Sequence, residues 1–562
     1  MKRFSYLFLI MATLTVGFSA CDKDDDPTVA ARPTITVPTG TTVQVGNETT
    51  LAFSVNAPGN VKTITVQASA GTASITNLND LTGKTSGTVN VAYTAPATAG
   101  SQTITLTVND AQSPSLTATE AATVSVTEAP VVEKPIVEVL NSANGTGTVT
   151  WTADNIYILR GFVYVNDGQT LTIEAGTVVK GQPGQGAGAS ALIIARGGKI
   201  MAVGTEENPI IFTAEDDDTE DPDDLAVNAR GLWGGLIVLG KAPINHVATQ
   251  TIIEGIPETE ARGIYGGNVA DDNSGKLKYI SIRHGGTLIG AANEINGLTM
   301  GGVGSGTEIS YIEVYGNDDD GFEWFGGTVN TSYLASIYNQ DDAFDWDFGY
   351  RGQNQFWFAY QVPDFAGSDR GMELDGAHSD NLGSDVFSQP TVFNMTLIGT
   401  ATQLGATPGG APAIFMTEGN GGFIRNSIIT QFRSGINLTD VGAPGKNTRD
   451  RLENGELVFS NNIFWSIGAY TTLDQVAEGL APLATHLTAN ANTYENPALG
   501  GIAVNALNPI PATTGPAYSG LAAYPAAPVN GFTYETVTYK GAFGSNNWLI
   551  GWTAADAYGL FE

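Results

Sequence analysis

The sequence is poor in cysteine, histidine and positive charge. Cys21 is the single cysteine among 562 residues, so no intrachain disulfide forms. Four histidines (His246, His284, His378 and His486) lie far apart with no ligand spacing, which argues against a zinc site. Lys and Arg total 25 against 57 Asp plus Glu, a formal net charge of −32. So acidic a chain repels polyanions, which argues against nucleic acid or an anionic membrane surface as partner and fits solubility or cation binding. Long apolar runs are scarce as well. The clearest, 4–18, is short for a membrane span.

What is abundant is glycine, 69 residues, with many threonines and valines, a composition rich in strands and turns. Residues 33–127 alternate apolar and polar in short segments such as Thr50-Leu-Ala-Phe-Ser-Val55, Thr88-Val-Asn-Val-Ala-Tyr93 and Thr103-Ile-Thr-Leu-Thr-Val108. Six or seven such strands in this span predict a β-sandwich. Residues 128–135 carry two prolines and read as a linker.

From 136 the pattern changes to short strands bounded by glycines. Three pieces align: Asn317-Asp-Asp-Asp-Gly-Phe-Glu-Trp324, Asn339-Gln-Asp-Asp-Ala-Phe-Asp-Trp346 and Ser368-Asp-Arg-Gly-Met-Glu-Leu374. Gly321, Ala343 and Gly371 hold equivalent places in them. Their spacing, in the twenties, is the period of a solenoid with one strand of this type per coil. The apolar–acid–apolar alternation turns each acid away from the core. Gly297-Leu-Thr-Met300, Ala413-Ile-Phe-Met416 and Gly435-Ile-Asn-Leu438 extend the frame, so the outward column reads Thr299, Glu323, Asp345, Glu373, Phe415, Asn437. Strands stacked ~4.8 Å apart bring two such carboxylates to a repulsion of ~3 kcal/mol at an effective dielectric of 20. A buried column needs a cation, a proton or an arginine. The predicted fold is therefore all-β: a sandwich over 33–127, a parallel β-helix over 136–465, and 466–562 as the cap of its open end, with a short helix near Leu473–Leu487. Asn394, Asn426 and Asn461 each precede an apolar strand and are expected to satisfy one another and the backbone at a coil turn.

Several stretches resemble known families. Met1-Lys-Arg3, an apolar core and Phe18-Ser-Ala-Cys21 resemble a bacterial lipoprotein signal, which implies cleavage before Cys21 and lipidation of that cysteine. Residues 21–32 form an acidic tether, and Asp22-Lys-Asp-Asp-Asp26 resembles the surface-export signal of Bacteroidota lipoproteins. The segment 33–127 resembles cysteine-free Ig-like modules of bacterial surface proteins. Leu171-Thr-Ile-Glu-Ala-Gly-Thr-Val-Val179 and 199–213 resemble the first coils of pectin-lyase-like right-handed β-helices. Leu232-Trp-Gly-Gly-Leu-Ile-Val-Leu-Gly240 with Trp548-Leu-Ile-Gly-Trp-Thr553 resembles a family of poorly characterised outer-membrane lipoproteins of Bacteroidota with that fold, which implies attachment to the outer membrane facing outward.

Three readings of the 317–375 face stay open. Asn317–Gly321 and Gln340-Asp-Asp342 are similar to the first two motifs of polygalacturonase-type glycoside hydrolases, which implies Asp320 and Asp342 as the carboxyl pair with Asp341 assisting. The third motif fails, because Arg370-Gly371 stands where His-Gly is expected. A lyase would need a base, and Arg351 and Arg370 are the cations nearby. In the second reading, Asp320, Glu323, Asp342, Asp345 and Glu373 offer oxygens to calcium. In the third, Trp324, Trp346, Tyr350 and Trp357 stack on a glycan. Non-catalytic glycan binding at the cell surface is the leading function. A hydrolase or lyase comes next, then a structural or transporter-associated envelope protein. No organic cofactor is expected. Replacing Cys21 with alanine is expected to shift the protein from the membrane pellet to the soluble fraction, and an unchanged pellet fraction would remove the anchor.

Overall fold

The computed structural model describes residues 31–128, 133–289, 294–361, 370–400, 411–441 and 443–561. The signal segment, Cys21, most of the acidic tether, and Ser368 and Asp369 lie outside the described residues. The chain divides into two compact units, Met1–Glu133 and Lys134–Glu562.

The first unit is two four-stranded sheets. One runs Thr34–Thr36, Glu48–Asn56, Ser86–Thr94, Thr72–Ile75; the other runs Thr41–Gln44, Thr117–Thr127, Gly100–Asp110, Val61–Ala68. All neighbours are antiparallel except Thr41–Gln44 on Thr117–Thr127. The alternation sets the register: Leu51 faces Val91 and Phe53 faces Val89. Those side chains join Ile104, Leu106, Val108 and Val124 in one core, while intervening residues such as Ala52, Ser54 and Thr123 stay exposed. This is the predicted sandwich.

The second unit is the predicted parallel β-helix. One face has nine strands in the order Phe162–Val165, Ala191–Ile194, Leu236–Leu239, Leu298–Gly301, Phe322–Phe325, Phe344–Asp347, Met372–Asp375, Pro412–Thr417, Ser434–Leu438. The other two faces run together through long bent strands, Gly275–Arg283, Glu308–Tyr315, Asn330–Ile337 and Gln353–Tyr360. Each bends at one residue with positive φ: Tyr279, Tyr311, Tyr333 and Phe356. The left-handed conformation is unusual for bulky side chains. Here the four rings stack, with centroids 4.5, 4.3 and 4.7 Å apart, which offsets the backbone cost. In later coils Asn394, Asn426 and Asn461 take the same bend.

Those asparagines satisfy backbone groups, as expected, but the groups belong to a distant segment and not to the coil turn. Asn394 donates to Tyr539 O, Asn426 to Ala522 O and Asn461 to Gly520 O. Their partners are the returning C-terminal segment, so the C-terminal region does more than cap. Residues Leu473–Ala477 and Ala481–Ala489 bury Val476, Ala477, Leu483 and Leu487 in the main core. The later residues then run back across the coils. Glu535 meets Gln355, Ala554 and Ala555 donate to the buried Glu313, and Tyr558 reaches His284. Sequence periodicity could not show this strap, because it contributes no strand to a coil.

Inside, the alternation puts Phe322, Trp324, Phe344 and Trp346 in the core, where the Trp357 ring lies 4.9 Å from Trp324 and 4.6 Å from Phe344. Trp357 Nε1 donates to Thr331 Oγ1 at 3.0 Å. Replacing Trp357 with alanine removes a fully buried ring and leaves a void, a cost of about 3–5 kcal/mol. Denaturant unfolding followed by tryptophan fluorescence checks this, since every tryptophan lies in the second unit.

Candidate functional site

The acids occupy the outside of the nine-stranded face and the corner just before it. In register, Thr299 lies beside Glu323, Glu323 beside Asp345, Asp345 beside Glu373, Glu373 beside Phe415, and Phe415 beside Asn437. This is the outward column that the repeat alignment predicts. Two residues further along, Asp347 pairs with Phe325 and Asp375 with Thr417, adding a second acidic position to the same coils.

The corners are braced by their own carboxyl groups. Asp342 N donates to Asp320 Oδ1 at 2.9 Å, and Arg370 N donates to Asp342 Oδ1 at 2.6 Å. Each corner carboxyl thus holds the backbone N–H of the next coil. The Arg370 guanidinium also donates to Asp342 Oδ2 at 3.1 Å and pairs with Glu373. Asp342 is 1% exposed. Burial and then Asp341 push its carboxyl up, and Arg370 pulls it the other way. With both oxygens engaged by Arg370 it is a structural group and is not placed to activate water, which corrects its expected role beside Asp320 in a hydrolytic pair. Arg370, spent on that contact, is likewise unsuited to act as a base.

Above the corners lies a hollow of about 290 Å³ lined by eight carboxyl groups and Asn296. Asp319, Asp320 and Asp341 come from the corners, and Glu323, Asp345 and Glu373 from the column. The repeat does not foretell Glu254 and Glu294, which approach from segments outside the aligned strands. Glu254 belongs to the insertion 241–273, whose Ile244, Ile253, Ile256 and Tyr265 cover the earlier coils of this face. A proline and glycine cluster around Glu254 was the available signal, and it marked only a loop.

So many acids in so little water resist ionisation. Burial pushes Asp319 up to about 8, with Glu254 and Asp341 adding repulsion. Burial, then Asp319 and Asp342, raises Asp320 well above the usual range. Burial likewise raises Glu323, reinforced by Glu254, and the two carboxyl groups hydrogen-bond each other. Asp345 is raised by burial and then by Asp320. A carboxyl–carboxyl hydrogen bond requires a proton between the groups, and a cation can replace that proton.

The donor set suits a hard cation. Asp319, Asp320 and Asp341 offer oxygens within 4.8 Å of one another, and so do Asp320, Glu323 and Asp345. Calcium–oxygen bonds of ~2.4 Å put ligands on opposite sides of one ion ~4.8 Å apart. Asn296, 2% exposed, has an Oδ1 with no hydrogen-bond partner, and Asp345 Oδ1 is buried in the same condition. Of the expected calcium ligands, Asp320, Glu323, Asp345 and Glu373 meet in the hollow, while Asp342 belongs to the Arg370 pair.

The expected aromatic platform is corrected. Trp324, Trp346, Tyr350 and Trp357 are at most 1% exposed. Alternation turns the strand tryptophans inward, and Tyr350 is held by its hydroxyl to Val329 O and Asn354. The expectation that the histidines lie apart also changes, because His246 and His378 come together with ring centroids 5.2 Å apart.

The family described as pectate-lyase like beta helix domain matches residues 143–504. The chain belongs to this family. No curated protein matches it. Among solved structures, the SrpA adhesin of Streptococcus sanguinis is similar at 17% identity over 21% of this chain and 70% of that one, with a TM-score of 0.17. A sialic acid binding region of a Streptococcus sanguinis SK1 adhesin, bound to 3'sLn, has 17% identity over 21% of this chain and 35% of that one, with a TM-score of 0.15. Protocadherin gamma C5 EC1-3 has 16% identity over 21% and 42%, also with a TM-score of 0.15. Likenesses of this extent carry no argument about function.

The raised carboxyl groups fix the sign of a pH effect. Asp319 and Asp375 at about 8 and Asp347 at about 7 keep protons that the unfolded chain loses near pH 4. Their stabilising contribution is full below about pH 4 and is lost as the pH rises through about 8. In chelator, the unfolding midpoint of the second unit is therefore expected to rise by several degrees from about pH 8.5 to about pH 6. A midpoint that falls over that interval would contradict the protonated hollow.

Proposed function

We propose that the protein binds an extracellular glycan without turnover, through a calcium ion held in the acidic hollow of its β-helix. The observation that carries this reading is the hollow itself, eight carboxyl groups around a space of about 290 Å³. Free carboxylates there repel one another and any uronate. A calcium ion neutralises them and leaves coordination positions for sugar hydroxyl or carboxylate oxygens. Asp320 sits in both groups of three and is the natural centre of the cation site. With Trp324, Trp346 and Trp357 inside the solenoid, the acidic face offers oxygen ligands to the sugar in place of those stacking faces. We place the protein at the outer membrane, facing outward and anchored by a lipid on Cys21, on the strength of the signal-like start and the acidic run Asp22–Asp26. An outer-membrane transporter or another envelope protein is the partner that such a location makes available.

Hydrolysis is the second reading, and one observation favours it. Asp319, at about 8, keeps its proton at neutral pH, as a general acid must. Against it stands the engagement of Asp342 by Arg370. A lyase finds no better base, since the Arg351 side chain donates to Phe387 O and Asp385 O.

Calorimetry and a glycan array, each run with calcium and with chelator, test the proposal. Calcium is expected to bind with proton release and more tightly at pH 8 than at pH 6, because it displaces the protons of the raised carboxyl groups. Glu323→Gln and Asp345→Asn are each expected to weaken calcium at least tenfold. Glycan capture equal in chelator would remove the cation from the function, and released product would establish the hydrolytic reading.

A further inference from the structure

Two histidines far apart in the sequence meet beside the acidic face. His246 lies in the insertion 241–273, and His378 follows strand Met372–Asp375. Asp380 stands between them, with Oδ1 2.5 Å from His378 Nδ1 and Oδ2 3.7 Å from His246 Nε2. One ligand atom from each of the three falls within 4.8 Å of the others. The neighbourhood is fixed by the backbone. Buried Asn245 donates its N–H to Phe348 O at 2.5 Å and its amide to Val386 O, tying the insertion to the loop that carries His378. The Phe348 ring lies 4.6 Å from His378 and 6.5 Å from His246 and backs both imidazoles.

We propose that His246, His378 and Asp380 form a second cation site, for one divalent transition metal of the zinc type, distinct from the hollow. Imidazole nitrogen selects such metals, whereas the all-oxygen hollow selects calcium. The 3.7 Å gap from Asp380 Oδ2 to His246 Nε2 is too long for a hydrogen bond. It is close to the ~3.3 Å edge of a tetrahedron with metal bonds of ~2.0 Å. Asp380 Oδ1 lies 2.5 Å from His378 Nδ1, and Asp380 N donates to the same nitrogen at 3.3 Å, so Nδ1 is the ring nitrogen on the carboxylate's side and the one that takes the metal with Asp380. Ala248 N donates to His246 Nδ1 at 3.1 Å. Loading the metal on Nε2 moves the ring proton to Nδ1 and breaks this contact, so binding occurs with a small local adjustment of the ring. A neighbouring group, Asp347, Asp375 and Glu418, offers carboxyl oxygens within 4.8 Å of one another.

The test is zinc calorimetry on the whole protein with calcium in large excess, and cobalt as an absorbing substitute. One equivalent of zinc is expected to bind under those conditions, with cobalt giving the visible bands of a nitrogen- and oxygen-ligated low-coordinate ion. His246→Ala and His378→Ala are each expected to weaken zinc at least tenfold with unchanged unfolding midpoints, since both rings are partly exposed. No saturable zinc binding by the unaltered protein would overturn the proposal without recourse to any variant. Binding that survives replacement of both histidines would overturn it too, and would assign the zinc to the carboxyl groups.

Discussion

Parallel strands stacked in register are the constraint on which the second unit depends. Each coil places its residues directly over those of the last, so a choice made at one position is repeated as a column. Inside, this gives Phe322 over Phe344 and Trp324 over Trp346. Outside, it gives Glu323 over Asp345 over Glu373. The first column gains from repetition, because identical apolar rings pack and exclude water. The second loses, because like charges at strand spacing repel. Both follow from one geometry, and the coils with the largest aromatic core are the coils with the densest acid face.

The fold manages that repulsion in two ways. At the corner it supplies donors, since Asp320 and Asp342 each accept a backbone N–H from the next coil and Arg370 pairs with Asp342. On the open face Glu373 pairs with Arg370, and its neighbours have weaker partners. Glu323 accepts from Asn296 and shares a hydrogen bond with Glu254, while one oxygen of Asp345 has no partner. The difference sets Asp342, held by Arg370 at both oxygens, apart from the candidate ligand acids in a cluster where residue type alone cannot. It also explains why the aligned motifs resemble a hydrolase while the geometry departs from one: the third coil carries an arginine that consumes the carboxyl group the hydrolytic pair would use.

Legibility in the sequence followed the same line. The sandwich, the β-helix and the outward column from Thr299 to Asn437 were readable, because period two within strands and a period in the twenties between them are properties of the chain itself. The same alternation already turned Trp324 and Trp346 inward, and their apparent place beside the acids came from sequence adjacency, which a strand sends to opposite faces. Glu254, His246 and the strap through Tyr539 and Ala554 were not readable. Each sits in a segment without period, and its position is set by contacts with coils distant in the chain. The bend asparagines show the limit well, for their spacing was visible and their partners at Gly520, Ala522 and Tyr539 were not.

The insertion 241–273 connects these observations. Its apolar residues cover Ile193, Ile237 and Phe325 on the nine-stranded face, and its polar residues reach over the acidic coils that follow. Glu254 closes one end of the hollow and His246 meets His378 at the other part of the same face. A solenoid face alone offers a flat ladder of side chains with one period. A concave, mixed-donor site needs a second element that crosses several coils, and here one insertion contributes a ligand to each candidate site. The insertion is held to the coils at several points, among them Asn245 on Phe348 and Val386, Ala242 N on Gly302 O and Gly327 N on Pro243 O.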